Sequence, residues 1–324
     1  IWRVLVVGLG RIGMGYDLQH DPAQWILTHA RAFQVHPQFE LVGGVDVNPE
    51  RICQFEQHYA CPGYECLDIA VKESRPDVVV IATPTPDHAA TIHQVLAIAS
   101  PQAILCEKPL AYSFDNANSI ASICEQHGIE LYVNYMRRSE HSVVEIYTRL
   151  RDGRIVAPLK GVSWYSKGLL NNGSHFLNLL QYWLGPVRST QVIDSGRLWA
   201  NIDPEPDVYV QFELGAIVFL AAQEENYSHY TIELIASNGR LRYEQGGGEV
   251  LWQPVIVDPA CEGYRILNPA SEAIASDLHR CQWHVVDQLA ISLSGQTAKL
   301  CSGRDALATQ TVLHQICHSL NFPG

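Results

Sequence analysis

The sequence predicts an α/β protein built in two parts, and three observations predict it. Short runs of Val, Ile and Leu, such as VLVV (4–7), VVVIA (78–82) and AILC (103–106), alternate with helical stretches through the first part. Continuous apolar strands separated by helices are the mark of parallel strands covered on both faces. After about residue 134 the strands lengthen, alternate polar with apolar residues and follow one another through short turns, which is the antiparallel pattern with one face open. The third observation is size: 324 residues, 47% apolar and 17% charged, are long for a single domain and ample for a core. The expected architecture is a doubly wound parallel sheet over 1–133 and an α+β domain with a mostly antiparallel, open-faced sheet over 134–324.

In order along the chain, strands are predicted at 4–7, 39–45, 78–82, 103–106 and 130–133, with helices at 49–59, 87–99 and 116–127, the last closed by Gly128. In the second part strands are predicted at 160–165, 189–194, 208–212, 216–222, 231–236 and 241–243. Asn238-Gly239 is a tight-turn signal between the last two. The stretch GLLNNGSHFLNLLQYWLGP (168–186) carries a helix whose apolar stripe Phe176, Leu179, Leu180 and Trp183 ends at Gly185-Pro186. His175, Asn178 and Tyr182 form a polar stripe beside it, with Asn171 four residues before His175.

Composition narrows the partners. A net charge of -12 without a long basic run opposes a phosphate-backbone surface, so nucleic acid is not expected. No window approaches the ~18 apolar residues of a membrane span, and IWRVLVVG runs straight into a glycine turn, so it reads as a strand and not as a leader. Cys106 and Cys124 lie in apolar runs where a thiol acts as a small hydrophobe, which points to a reducing, cytoplasmic setting. Cys281 with His284, and His58 with Cys61, offer two ligands each and no completing pair, so no metal is expected.

The chemistry gathers at strand ends. Gly8, Gly10 and Gly13 in VVGLGRIG follow a strand and precede a helical stretch: one glycine for the turn, one for close approach of a pyrophosphate, one for helix packing. Arg11 and Ile12 lie within that motif. Asp46 ends the second strand, where a carboxylate suits the ribose hydroxyls of NAD and repels the 2′-phosphate of NADP. The long gap between motif and Asp46 is read as an enlarged crossover loop, MGYDLQHDPAQWILTHA. The stiff loop ATPTPDH carries Thr83, Thr85 and His88 at the end of the third strand, and Glu107 and Lys108 follow the fourth on the same edge, where open α/β sheets bind ligands. From the residues alone, structural readings stand beside these: Asp46 as a helix cap, Lys108 as a snorkelling surface lysine, His175 as a satisfied structural histidine, Arg137 as one half of a surface ion pair.

The order GLGRIG, GGVD, ATPTPDH, CEKPL, YMRR and NNGSH resembles the Gfo/Idh/MocA family of glucose-fructose oxidoreductases and inositol dehydrogenases. The resemblance runs nearly end to end, since SGRDALATQTVLHQI is similar to the family's closing helix. It implies a Rossmann domain with a cofactor set of Gly8, Gly10, Arg11, Ile12, Gly13, Asp46, Thr83, Thr85, His88, Glu107 and Lys108, and NAD in preference to NADP. Lys108 and His175 would flank the reacting carbon, Arg137 would grip a substrate hydroxyl or anionic group, and the Lys108-Pro109 bond would be cis. The residue matching the family's aspartate is Asn171, a departure, because asparagine orients an imidazole without adding charge. The implied activity is hydride transfer between the nicotinamide and a secondary alcohol of a sugar, nucleotide sugar or cyclic polyol, with a lysine whose pKa the nicotinamide charge and burial depress. The enlarged crossover loop and the NNGSH form resemble members from bacterial surface-glycan synthesis. The alternatives are a redox-neutral NAD-dependent glycosidase or lyase, and a non-catalytic NAD-binding regulator. A homodimer or homotetramer through the open sheet is expected.

Overall fold

The computed structural model describes residues 1–320 and falls into two compact units: Ile1–Ser139 with His279–Leu307, and Glu140–Leu278 with the chain from Ala308 on. In the first unit β1 (Trp2–Val7), β2 (Phe39–Val45), β3 (Gly63–Tyr64), β4 (Val78–Ile81), β5 (Ala103–Cys106) and β6 (Glu130–Val133) form one sheet in the order β3-β2-β1-β4-β5-β6. Every pairing in it is parallel. The crossovers carry α1 (His29–Val35), α2 (Pro49–Tyr59), α3 (Leu67–Ser74), α4 (His88–Ile98) and α5 (Phe114–Gln126). This is the doubly wound order, with its topological switch between β1 and β4.

The apolar runs behave as their composition requires. Alternate residues of β1 and β4 enter different cores: Leu5, Val7, Val79 and Ile81 one, Val4, Val6, Val78 and Val80 the other. Both sets are buried, so these strands have no solvent face and need no polar alternation.

The second unit opens with α6 (His141–Arg151), β7 (Leu159–Tyr165) and α7 (Ser174–Leu184). It continues through β8 (Val187–Trp199), β9 (Asp203–Phe212), β10 (Gly215–Ala221), β11 (Thr231–Ala236), β12 (Gly239–Glu244), β13 (Glu249–Val257), β14 (Arg265–Leu267) and β15 (Glu272–Ala273). The sheet runs β14-β13-β12-β11-β7-β10-β9-β8, with β15 paired to β13, and only β7 with β10 is parallel. The chain then forms α8 (Cys281–Leu293) and α9 (Gly303–His318). One sheet face packs on α6, α7 and the second half of α9, through Val143, Leu180, Trp183 and Leu313 against Val210, Ile217, Ile232 and Leu234. On the other face Val218 pairs with Val162 and Leu220 with Trp164, while Ile235 stands opposite Lys160, with Trp164 38% and Ile235 46% exposed.

Three features differ from the sequence reading. The division is not linear: α8 buries Val285, Val286 and Leu289 against the β1 and β4 core, and the Val133 amide donates to the Cys301 carbonyl. Residues 134–139 and 279–307 therefore stand with the first unit, whereas the sequence split fell at 133/134. The hairpin between β11 and β12 turns at Ser237-Asn238, one residue before the predicted pair, and Gly239 already faces Ala236. Asn238 is held there by its side chain, which donates to the Arg154 carbonyl at 2.9 Å and accepts from the Val156 amide at 3.0 Å. Finally, the polar stripe of α7 is half-buried at His175 and buried at Asn178 and Tyr182. Asn178 is buried and donates to Thr309 Oγ1, and Tyr182 stacks on Tyr147 with centroids 4.3 Å apart, because α6 and α9 cover the side that periodicity left open.

Leu180 is wholly buried in the middle of α7. Leu180→Ala should cost about 2–5 kcal/mol, read as a lower denaturant midpoint; a loss below about 1 kcal/mol would mean that the helix collapses into the space.

Candidate active site

The loop after β1 is shaped by clashes. Gly8 has φ +98°, and a Cβ on it would lie 2.5 Å from the Ala82 carbonyl carbon; one on Gly13 would lie 2.0 Å from the Gly8 oxygen. Both positions exclude a side chain to keep the turn tight against β4. At Gly10 an added Cβ meets nothing within 4 Å, so its glycine leaves backbone bare beside empty space, the cradle that a pyrophosphate would fill. Arg11, Ile12 and Gly13 open a π-helical turn, Arg11–Gly15, with Arg11 exposed and Ile12 half-buried. The helix proper begins only at His29, after the enlarged crossover.

Asp46 is buried at the end of β2 and receives the Leu9 amide (2.8 Å) on Oδ2 and the Asn48 amide (2.9 Å) on Oδ1. It thus ties the glycine turn to the start of α2. Arg51, half exposed, brings Nη1 to 3.4 Å from Asp46 Oδ2, a neighbour that the sequence reading passed over although the spacing within DVNPER places it one helical turn along. Thr83 presents a buried Oγ1 with no hydrogen-bond partner among the described residues, as a group reserved for a ligand would. Thr85 opens a single 3₁₀ turn, Thr85–Asp87. His88 was expected to face the cofactor; instead its ring is buried, with Nε2 3.0 Å from the Thr83 carbonyl and Nδ1 3.1 Å from the Leu110 carbonyl. Both nitrogens are engaged by backbone, so His88 joins the loops after β4 and β5. The open space at Gly10, the Asp46 carboxylate and the unmatched Thr83 hydroxyl together fit a dinucleotide.

Lys108-Pro109 is cis. Lys108 is half-buried and its amide lies 3.3 Å from Glu107 Oε2. Glu107 Oε1 receives Asn134 Nδ2 at 2.6 Å and lies 2.8 Å from His29 Nε2. Burial pushes the Glu107 carboxyl up, but the hydrogen bond and charge of His29, the Asn134 amide and the charge of Lys108 outweigh it and hold the group below the ordinary carboxylate range. Its ionised form is thus stabilised in the fold, a contribution present above the unfolded carboxyl value of about 4.3 and lost as pH falls through the lower folded value. Arg137 follows β6 on the turn Met136–Ser139 and is half-buried, while its neighbour Arg138 pairs with Asp305 at 3.2 Å. The first unit therefore gathers Gly8, Gly10, Asp46, Thr83, Glu107 and Lys108 at the carboxyl ends of its strands.

In the second unit Asn171 lies on a π-helical turn, Gly168–Gly173, and half-buried His175 on the first turn of α7, so the two are not on one regular helix. Two carboxylates of β9 hold that turn. Asp203 receives the Leu170 amide (2.9 Å) and the Asn171 amide (2.8 Å); fully buried Glu205 receives the Lys167 and Gly168 amides and pairs with Arg197 at 2.8 Å. Gly168 is required there: its φ is +88° and a Cβ would meet Asp203 Oδ2 at 2.1 Å. The Asn171 side chain donates to the Lys167 carbonyl at 3.3 Å. The sequence reading missed Asp203 and Glu205; the acids alternating with prolines in DPEPD were the available signal. Buried Tyr165 lies among them, its phenol pushed far up by burial and then by Glu205, Asp207 and Asp203.

Residues 2–135 match the model of an oxidoreductase family with an NAD-binding Rossmann fold. The chain is 27% identical over 176 residues to the inositol 2-dehydrogenase of Rubrobacter xylanophilus, covering 54% of this chain and 48% of that protein. It thus spans about half the length of the curated relatives it matches. An NAD binding oxidoreductase of Klebsiella pneumoniae superposes with a TM-score of 0.79 at 16% identity, over 98% of this chain and 96% of that one. The WlbA dehydrogenase of Bordetella pertussis, in complex with NADH and UDP-GlcNAcA, superposes with a TM-score of 0.76 at 18% identity, over 98% and 95%. At these identities the structures share the fold.

The glycine geometry separates fold from ligand. Gly10→Val should leave the unfolding midpoint near that of the parent and remove NAD binding by calorimetry, whereas Gly13→Ala should destabilise by about 1–3 kcal/mol. Equal loss of stability in both would place Gly10 in the packing instead.

Proposed function

We propose that the protein, whose residues 2–135 match the model of the Gfo/Idh/MocA oxidoreductase family, is an NAD-dependent dehydrogenase of a secondary alcohol on a sugar, nucleotide sugar or cyclic polyol. The observation that carries this reading is the set at the carboxyl ends of β1, β2, β4 and β5: bare Gly10, the Asp46 carboxylate, the unmatched Thr83 hydroxyl and the Glu107-Lys108 turn. Asp46 accepts the ribose hydroxyls, which favours NAD; Arg51 beside it softens the repulsion of a 2′-phosphate, so NADP is a poorer but accessible cofactor. NAD supplies the acceptor for the hydride. Lys108 takes the hydroxyl proton in oxidation and returns it in reduction, with His175 as the second proton carrier and Arg137 gripping the substrate. The Asn171 amide adds no charge beside His175, so more of the proton transfer rests on Lys108. The inositol and nucleotide-sugar dehydrogenases among its relatives support the substrate class. Nine cysteines, none of them in a disulfide among the described residues, with Cys124 pushed up to about 11 by burial, support a reducing, cytoplasmic setting.

The test is NADH absorbance with NAD and a panel of nucleotide sugars, free sugars and inositols. Lys108→Met should abolish turnover while NAD affinity stays within about threefold, a change of roughly 0.7 kcal/mol. Retained turnover would remove Lys108 from the chemistry. Product formed with catalytic NAD and no net NADH would indicate redox-neutral cleavage, and NAD binding without any product would indicate a regulator.

We further propose a homodimer or homotetramer through the open sheet face, supported by Val162, Trp164, Val218, Leu220 and Ile235 on it. Ile235→Arg should lower the mass seen by light scattering, and an unchanged mass would move the interface elsewhere.

A further inference from the structure

His29 is the first residue of α1, wholly buried, and its imidazole meets Glu107, 78 residues away. The ring contributes Nε2 to Glu107 Oε1 at 2.8 Å, the same oxygen that takes Asn134 Nδ2 at 2.6 Å, and Glu107 Oε2 is left facing the Lys108 amide at 3.3 Å. His29 Nδ1 is buried and has no hydrogen-bond partner among the described residues. A carboxylate only accepts, so the Nε2 N–H donates to Glu107 Oε1.

The arrangement fixes Glu107 from two sides. Its backbone amide continues from β5 by donating to the Ile81 carbonyl, and its side chain is held by α1 on one side and by the residue after β6 on the other. Beneath it Cys106 is wholly buried, so a carboxylate with one donor fewer would carry an unmet cost in an apolar setting.

The position of His29 is in turn set by the enlarged crossover. Asp17, wholly buried, receives the Leu27 amide at 2.7 Å, the Thr28 amide at 3.1 Å and Thr28 Oγ1 at 2.7 Å; its carbonyl takes Arg31 Nη2 at 2.8 Å. The long loop is thus closed on the residues just before His29. It returns α1 to a defined start.

From this geometry we infer that His29 is a positioning residue for Lys108, acting through Glu107: it aims the Glu107-Lys108 turn without touching substrate or cofactor. The inference rests on the reading of Lys108 as the proton carrier for what it does to turnover. What it says of the lysine itself does not depend on that reading.

His29→Leu removes the donor and His29→Gln keeps an N–H of similar reach. The chain has five lysines, so after reductive ¹³C-dimethylation the Lys108 signal is identified by its loss in Lys108→Met. In His29→Leu the Lys108 signal and its titration midpoint should move, kcat should fall at least about tenfold, and NAD affinity by calorimetry should stay within about threefold. His29→Gln should restore the signal, the midpoint and most of kcat. A Lys108 signal and midpoint unmoved in folded His29→Leu would overturn the inference, as would Gln serving no better than Leu. If His29→Leu does not fold, Asn134→Ala, which strips the other donor from the same oxygen, takes its place with the same readings. A parent protein that oxidises no alcohol, while the Lys108 signal still moves in His29→Leu, would sink the dehydrogenase reading and leave the positioning role standing.

Discussion

A carboxylate at the end of a strand buried on both faces has to be matched by donors or lose its charge, and Glu107 is matched. Lys108, the neighbouring amide and the last turn of backbone before Pro109 take their places around that one satisfied group. The donors come from elements far apart in the chain, so α1, β5 and the residue after β6 converge on it. The sheet supplies the convergence, because parallel strands deliver all their carboxyl ends to one edge.

The second unit uses the same device with the partners reversed. There the carboxylates lie on a strand, Asp203 and Glu205 of β9, and the donors are the backbone amides of the turn that precedes α7. A π-helical turn leaves amides unpaired by ordinary helical bonding, and two buried acids absorb them. This is why Gly168 stands where it does, and why Asn171 lies off the regular helix that carries His175. Asn171 contributes its amide to a carboxylate instead of contributing a carboxylate.

Much of this was legible in the sequence. The parallel strands, the glycine turn, Asp46 and the Glu107-Lys108-Pro109 turn are local: each is a run, a period or a fixed spacing, and local patterns survive in one dimension. The stripe of α7 was equally legible, as burial of Phe176, Leu179, Leu180 and Trp183 makes plain. The other side of that helix was not, since whether Asn178 and Tyr182 face water depends on α6 and α9, which periodicity within α7 cannot register. The place of the His88 ring was hidden for a like reason: it lies against the Thr83 and Leu110 carbonyls, on two loops that spacing within one loop cannot register.

The sequence by itself determined the two-part α/β architecture, the dinucleotide turn and the lysine at the strand end, because strand burial and turn geometry impose residue types at short, regular spacings. Only the tertiary structure decided that His29 answers Glu107, that Asp17 closes the crossover, that Asp203 and Glu205 cap the turn before His175, and that α8 returns to the first sheet. Those partners lie ten residues or more apart and leave no periodic trace. They are chosen by where the strands end in space and by the requirement that each buried charge find its donors there.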